Sequence, residues 1–365
     1  MMIITAIISI GVLVFIHEGG HFLASRLFGV RVTEFMLGLP GPGVGFRRGE
    51  TKFGVTCIPL GGYAKVCGMT TNPLPPYLDK VLASLYKRGS ATIEEVAFDC
   101  DITPDEADEA LSELVEWGSA VEPYKTDDYN TYRTPAMPSK KLSRKERKAI
   151  GDCVTFEAFP EGSPREIGDA SDFFESEYNK QYRSKPFWKK TIILLAGIAM
   201  NLLFAILVFL LVYSIIGFDA KMQDGSVSHI TVSPDKALLA GFNYIGMTVG
   251  AIMSLFNPAT AADTVSNSTS IVGIAYLSES YFAKGISDAL MFMAMISVSL
   301  GLMNLLPIPP LDGGRFVIEI VQKVSGKNVP DKIVNVVSTV GVCFFIALFL
   351  IMANQDIQRI IFGNW

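Results

Sequence analysis

Histidine is scarce in this chain: there are three among 365 residues, and two of them, His17 and His21, lie four apart. Cysteine numbers five, an odd count without paired spacing, which argues against a disulfide framework. Cys57, Cys67, Cys100 and Cys153 are expected as reduced thiols in a cytosolic part of the chain. No Lys or Arg precedes the first apolar stretch and no small-residue cleavage site follows it. A cleaved signal peptide is therefore not expected, and the first apolar segment should be retained. A basic excess is also missing: 31 Lys and Arg stand against 36 Asp and Glu, a formal net charge of −5. Nothing overall points to nucleic acid. Apolar residues, by contrast, make up 50% of the chain, enough for several membrane spans and one modest soluble domain.

The two close histidines stand in the pattern His17-Glu18-Gly19-Gly20-His21, inside an apolar run that starts at Met1. On a helix, positions four apart share a face, so both imidazoles point at one place with Glu18 one residue round. Two nitrogen ligands and a carboxylate able to serve as general base form the arrangement of zinc proteases. Its place in an apolar run is unusual. Ionisable groups within a bilayer are costly, mark a function by default and need partners.

In chain order, 1–28 is expected as a first span. Its purely apolar part, 2–16, is too short to cross unless the histidine turn also lies in the membrane. Residues 29–73 are rich in glycine and β-formers and are expected as short strands joined by glycine turns, a membrane-associated hairpin or small sheet. An open strand edge there could hold an extended substrate by backbone pairing. An ordinary surface hairpin fits the composition equally.

Residues 74–134 look like a separate α+β insertion. Three helices are expected: 77–87, 91–98 after Ser90 or Thr92, and one opened by Thr103-Pro104 and closed by Gly118. A two-stranded ribbon over 121–133 follows, with Asp127-Asp128 at its tip. The order resembles a winged helix, but the charge opposes DNA binding: 14 Asp and Glu against 5 Lys and Arg in 74–134. A protein-binding or regulatory module and a passive solvated insert both remain open.

Residues 135–190 are expected as a linker. Its basic run 139–148 could rest on anionic lipid or be solvated; 152–178 should be acidic and loop-like. A second span is expected at 191–216, with Asn201 facing protein. Within 217–282, the apolar stretch 237–256 suggests an interfacial or re-entrant helix. His229 lies there, apart from the first motif.

The third span is assigned to 283–306. Pro307, Pro309 and Pro310 break the chain after it, and Gly313-Gly314 should allow a tight turn. Asp312 would then sit at a membrane-buried helix end, where a carboxylate needs a cation and a two-histidine zinc site needs a third ligand. Residues 307–332 form a loop, 333–353 a fourth span and 354–365 a tail. Of the 31 Lys and Arg, 22 fall in 27–190, four in 307–332 and two in 217–282. The positive-inside rule puts the first two of these loops in the cytosol and both termini outside. His17, His21 and Asp312 then share the cytosolic side of a multi-pass protein of the cytoplasmic membrane. The fold class is thus a polytopic α-helical membrane protein of about four spans, with a small sheet and a winged-helix-like insertion.

His17-Glu18-Gly-Gly-His21-Phe, Ile58-Pro-Leu-Gly-Gly-Tyr63, Tyr182-Arg-Ser-Lys-Pro-Phe-Trp-Lys189 and Asn304-Leu-Leu-Pro-Ile-Pro-Pro-Leu-Asp312-Gly-Gly together resemble the site-2 protease family of intramembrane metalloproteases, closest to its bacterial regulator-of-sigma-E branch. The resemblance implies one Zn2+ per chain, held by His17, His21 and Asp312, with Glu18 as general base. It implies a substrate or oxyanion role for Asn304 and a substrate edge that includes Gly61, Gly62 and Tyr63. It also implies single-span membrane proteins as substrates, of the anti-sigma-factor or remnant-signal-peptide type. Relatives of this branch usually carry PDZ domains between spans two and three, for which 217–239 is too short; Asp224-Gly225-Ser226 could be the junction of a deletion. Ser270-Ile-Val-Gly-Ile274 stands where relatives often show Gly-Pro-Val-Gly-Ile. A metal-dependent membrane scaffold or a metal transporter is the rival reading, though no internal repeat supports a transporter.

Overall fold

The computed structural model describes residues 2–58, 61–127, 129–137, 159–221 and 227–362. The basic run 139–148, Cys153, Asp128 and Asp224-Gly225-Ser226 lie outside the described residues.

The apolar N-terminal run forms helix α1, Met2–Leu27. Its buried residues are Thr5, Ala6, Ser9, Leu13, His17, Gly20, His21, Ala24 and Ser25, a stripe at helical spacing of mostly small or polar residues. Ile3, Ile4, Ile8, Val12, Phe15 and Leu23 are exposed. A helix that buries its small and polar side and exposes its large apolar side is built for a lipid surrounding. Gly29, at φ 67°, ends it.

Four strands follow: β1 Val32–Leu37, β2 Gly43–Arg48, β3 Thr51–Thr56 and β4 Gly62–Val66. Their order is β2-β3-β1-β4, with β1 parallel to β3 and antiparallel to β4. β4 is therefore an edge strand, and it lies against α1.

The insertion begins with α2 Leu78–Arg88, a short strand β5 Ser90–Thr92, α3 Ile93–Cys100 and α4 Pro104–Glu116. Thr92 and Thr103 each cap a helix in a reciprocal capping box, with Glu95 and Glu106. Strand β6 Thr131–Arg133 pairs with β5, and Val121 bridges to Arg133. Val81, Leu82, Leu85, Val96, Leu111, Leu114 and Trp117 form the core.

Part of the segment expected as acidic loop also packs onto this core. It forms α5 Ala170–Tyr178, capped by Asp169 and held by ring contacts of Phe173 on Tyr86 and of Phe174 and Tyr178 on Trp117. The insertion is docked on the sheet by Arg31, which is 3% exposed. Its guanidinium donates to Glu177 at 2.8 Å, Ser119 at 3.0 Å and the Trp117 carbonyl at 3.1 Å, and reaches Glu50 at 3.1 Å. Burial alone would raise the Glu177 carboxyl, but the Arg31 charge and hydrogen bonds, with Lys180, outweigh it and hold it at about 2.

Helix α6, Phe187–Leu210, continues through a wider turn at Leu211–Ile216 into the hairpin β7 Phe218–Lys221 and β8 Val227–Ile230. Then come α7 Pro234–Ser254, α8 Ala261–Asn267, α9 Ile271–Lys284, α10 Ile286–Asn304, α11 Asp312–Ser325 and α12 Asp331–Phe362. Among the described residues, five helices are long and apolar enough to cross a membrane: α1, α6 with its extension, α7, α10 and α12. The fifth candidate beside the expected four is α7, the segment expected to be interfacial.

Two local expectations change. The 307–332 loop contains a 14-residue helix, α11. Gly313 and Gly314 do not make a left-handed turn; they are in its first turn. A Cβ on Gly313 would lie 2.1 Å from the Leu305 carbonyl oxygen, and one on Gly314 would lie 2.2 Å from the Pro309 nitrogen. The glycines are needed because the proline-rich loop folds directly over them.

Candidate metal centre

The structure brings together His17 and His21 from α1 and Asp312 from the start of α11, residues separated by 291 or more positions. Asp312 Oδ2 lies 3.1 Å from Nε2 of each histidine, and the two Nε2 atoms are 3.4 Å apart. Both histidines are buried, at 7% and 9% exposure.

The groups behind the imidazoles set their tautomers. Nδ1–H of His21 donates to the Ile193 carbonyl at 2.8 Å, which leaves the Nε2 lone pair facing Asp312. Nδ1 of His17 faces the Asn201 carboxamide nitrogen at 3.2 Å, while the fully buried Asn201 Oδ1 has no partner. A half-turn of the carboxamide exchanges its O and N, a choice that hydrogen-bond logic decides. Turned, Oδ1 accepts from His17 Nδ1–H, the orphan is satisfied, and Nε2 of His17 is free like that of His21. Two imidazole lone pairs and a carboxylate oxygen then converge in a buried space, within 4.8 Å of one another. A donor set of two nitrogens and one oxygen, with positions left open, fits a zinc ion in a catalytic site.

Helix packing makes the room. A Cβ on Gly197 of α6 would lie 2.4 Å from His21 Nε2 and 2.8 Å from His17 Cε1. A Cβ on Gly20 would lie 2.5 Å from the Ala196 carbonyl oxygen. These two glycines let α1 and α6 approach until Ile193 and Asn201 reach the histidines. Ser297 of α10 donates to the Asn201 carbonyl at 2.9 Å and fixes the third helix against them.

Glu18 is turned towards the sheet. Its Oε2 accepts the Ala64 N–H of β4 at 3.0 Å. Gly62 stands at the same contact, where a Cβ would lie 2.6 Å from Val14 Cγ1. Gly61, at φ 83°, admits the turn into β4. Tyr63 donates its hydroxyl to Glu34 at 2.6 Å; burial and that carboxylate push the phenol up to about 12. Along β4 runs a cleft of about 680 Å³, whose lining includes Tyr63, Ala64, Lys65, Pro310, Arg315 and Glu116.

Asn304 is not among the groups gathered around the triad; its side-chain amide donates to the Leu300 carbonyl at 3.0 Å within its own helix. The asparagine that reaches His17 is Asn201. Gly197 and Asn201, one helical turn apart, share a face and were the available signal, but a polar residue in a span says only that it faces protein. His229 sits apart on β8, bonded to Asp219 at 2.9 Å and to the Ile216 carbonyl at 2.9 Å.

The sequence matches peptidase family M50 over residues 5–348. It is 22% identical to the regulator of sigma-W protease RasP of Bacillus subtilis, over 98% of each chain. It is 24% identical to the probable protease eep of Enterococcus faecalis, over 99% of each. It is 22% identical to the zinc metalloprotease RasP of Bacillus licheniformis, over 98% of this chain and 99% of that one. With a match across most of its length, the chain belongs to peptidase family M50, the site-2 protease family, and is a metalloprotease.

Proposed function

We propose that this metalloprotease holds one zinc ion through His17, His21 and Asp312 and hydrolyses peptide bonds within the transmembrane segments of single-span membrane proteins. The observation that carries the reading is the convergence of two buried histidine nitrogens and the half-buried Asp312 carboxylate beside a strand edge that also touches Glu18. Zinc, when bound there, supplies Lewis acidity and brings the ionisation of water towards neutral pH. Glu18 takes the proton from the attacking water and delivers it to the leaving nitrogen. Asn201 and the Ile193 carbonyl hold the imidazoles in the ligating tautomer. A helical peptide bond is shielded by its own hydrogen bonds, so the substrate must unwind first. Pairing with the edge of β4 offsets that cost, with Gly61, Gly62 and Tyr63 at the point of entry. Asn304, at the end of α10, serves the substrate or oxyanion on this reading.

The charge distribution favours a cytoplasmic-membrane protein with termini outside and the metal centre near the cytosolic side. α7 is then interfacial and α1, α6, α10 and α12 are the spans. The order helix, strand, helix, helix, ribbon fits a winged-helix-like insertion that binds protein in place of nucleic acid. The similarity to a relative named regulator of sigma-W protease favours anti-sigma factors as substrates, with remnant signal peptides as the alternative.

The test is incubation of the purified protein with a model single-span substrate, with and without a zinc chelator, beside the Glu18→Gln form. Cleavage by the zinc-loaded wild type alone supports the reading. Cleavage that survives chelation or Glu18→Gln removes it.

A further inference from the structure

We propose, building on the protease reading above, that Glu116 of the insertion is a specificity-determining residue of the cleavage cleft. It selects substrates that carry Lys or Arg on the segment leaving the cleft towards the insertion.

The argument begins with where the cleft ends. β4 starts at Gly62, beside Glu18, and runs to Val66, lining the cleft as it goes. At the far end of this strand, Lys65 Nζ is 3.9 Å from Glu116 Oε1, the last residue of α4. The insertion thus forms the outer wall of the cleft. A substrate strand paired along β4 passes Glu116 about three residues, roughly 10 Å, from the residue opposite Gly62.

The other carboxylates of the cleft are engaged. Glu34 accepts the Tyr63 hydroxyl at 2.6 Å, and Glu319 is held by Lys190 at 3.3 Å. Among the described residues, the one ion pair of Glu116 is its long contact with Lys65, in which the two side chains are 49% and 39% exposed. Such an exposed pair contributes little, so an incoming cation can displace Lys65 at small cost. Helix α4 has no Lys or Arg and carries five further carboxylates, of which Glu113 is paired with Arg183 at 2.8 Å; Asp105, Glu106, Asp108 and Glu109 add negative charge further along the helix. Arg315 also lines the cleft, with its guanidinium 3.5 Å from the Met69 sulfur, beyond the far end of β4.

The experiment uses the full zinc-loaded protein and two model single-span substrates. They are identical except for three Lys or three Glu, placed three to five residues beyond the scissile bond on the cytosolic side. The wild type should cleave the Lys substrate with a kcat/KM roughly fivefold higher, a preference that fades at high salt. Glu116→Lys should reverse the preference and Glu116→Gln should reduce it, while Lys65→Ala should keep it. The ratio of two substrates on one enzyme is insensitive to loss of folded protein. Cleavage of both substrates at equal rates, or a preference unchanged in Glu116→Lys, overturns the inference and leaves the protease reading standing. Cleavage of neither by the zinc-loaded wild type overturns the protease reading and the inference with it.

Discussion

His21 donates its Nδ1–H to the main-chain carbonyl of Ile193, 172 residues away and 2.8 Å distant. This bond leaves His21 one nitrogen to offer, and it aims that nitrogen at Asp312. A main-chain acceptor does this without a side chain that could be read in the sequence. Outer partners of this kind fix both tautomer and ring orientation in metal sites.

Glu18→Gln should retain zinc and lose turnover, because the amide cannot accept a proton. A loss of about 10²–10⁴-fold in kcat is expected for removal of a general base. Metal content by atomic absorption, measured beside cleavage, separates this outcome from loss of the ion.

Asp312→Ala should release zinc outright, since it removes one of three ligands. Asn201→Ala should leave the ligands in place but loosen His17, with zinc affinity falling by about 10–100-fold. Competition against a chromogenic chelator reads both effects. Equal zinc affinity of Asn201→Ala and wild type would remove Asn201 from the outer shell.

Gly197→Ala places a Cβ 2.4 Å from His21 Nε2. The neighbours are an imidazole and a packed helix, so α1 and α6 must separate. Zinc occupancy should drop sharply while the insertion stays folded. Thermal unfolding followed at the insertion, together with metal content, checks that the damage is local.

Acid should weaken the docking of the insertion. Glu177 is held at about 2 in the folded protein against an ordinary 4.5, so the folded state favours its charged form. Its contribution is complete above about pH 5 and is lost as pH falls towards 2. Glu177→Gln removes the buried counter-charge of Arg31 and leaves it the more exposed Glu50, and a loss of roughly 3 kcal/mol is expected at neutral pH. Melting temperature against pH should fall more steeply below pH 5 in the wild type than in Glu177→Gln.

Much of the site could be read from order and spacing. His17, Glu18 and His21 lie within five consecutive residues of one helix, and local geometry alone brings the two imidazoles to one face. The proline break before Asp312 marks a helix start at which a carboxylate would be exposed to the membrane interior. The cap at Thr103 is legible for the same reason, and Thr92 is one of two candidates: a capping box is a contact between residues three apart, and helix periodicity dictates it. Sequence expectation failed where the deciding contact was distant. Ala170–Tyr178 looked like acidic loop because its aromatic residues have meaning only against Trp117 and Tyr86. Gly313 and Gly314 looked like a turn because the loop that crowds them cannot be seen in the order of residues.

The sequence alone therefore determined the family chemistry, the apolar segments and the local starts of helices, all consequences of short-range spacing and composition. Tertiary structure decided that Asn201 reaches His17, that Gly20 and Gly197 set the distance between two helices, and that the insertion forms a wall of the cleft. Each of these depends on which surfaces meet. That is fixed by close packing among residues far apart in the chain, and no local pattern encodes it.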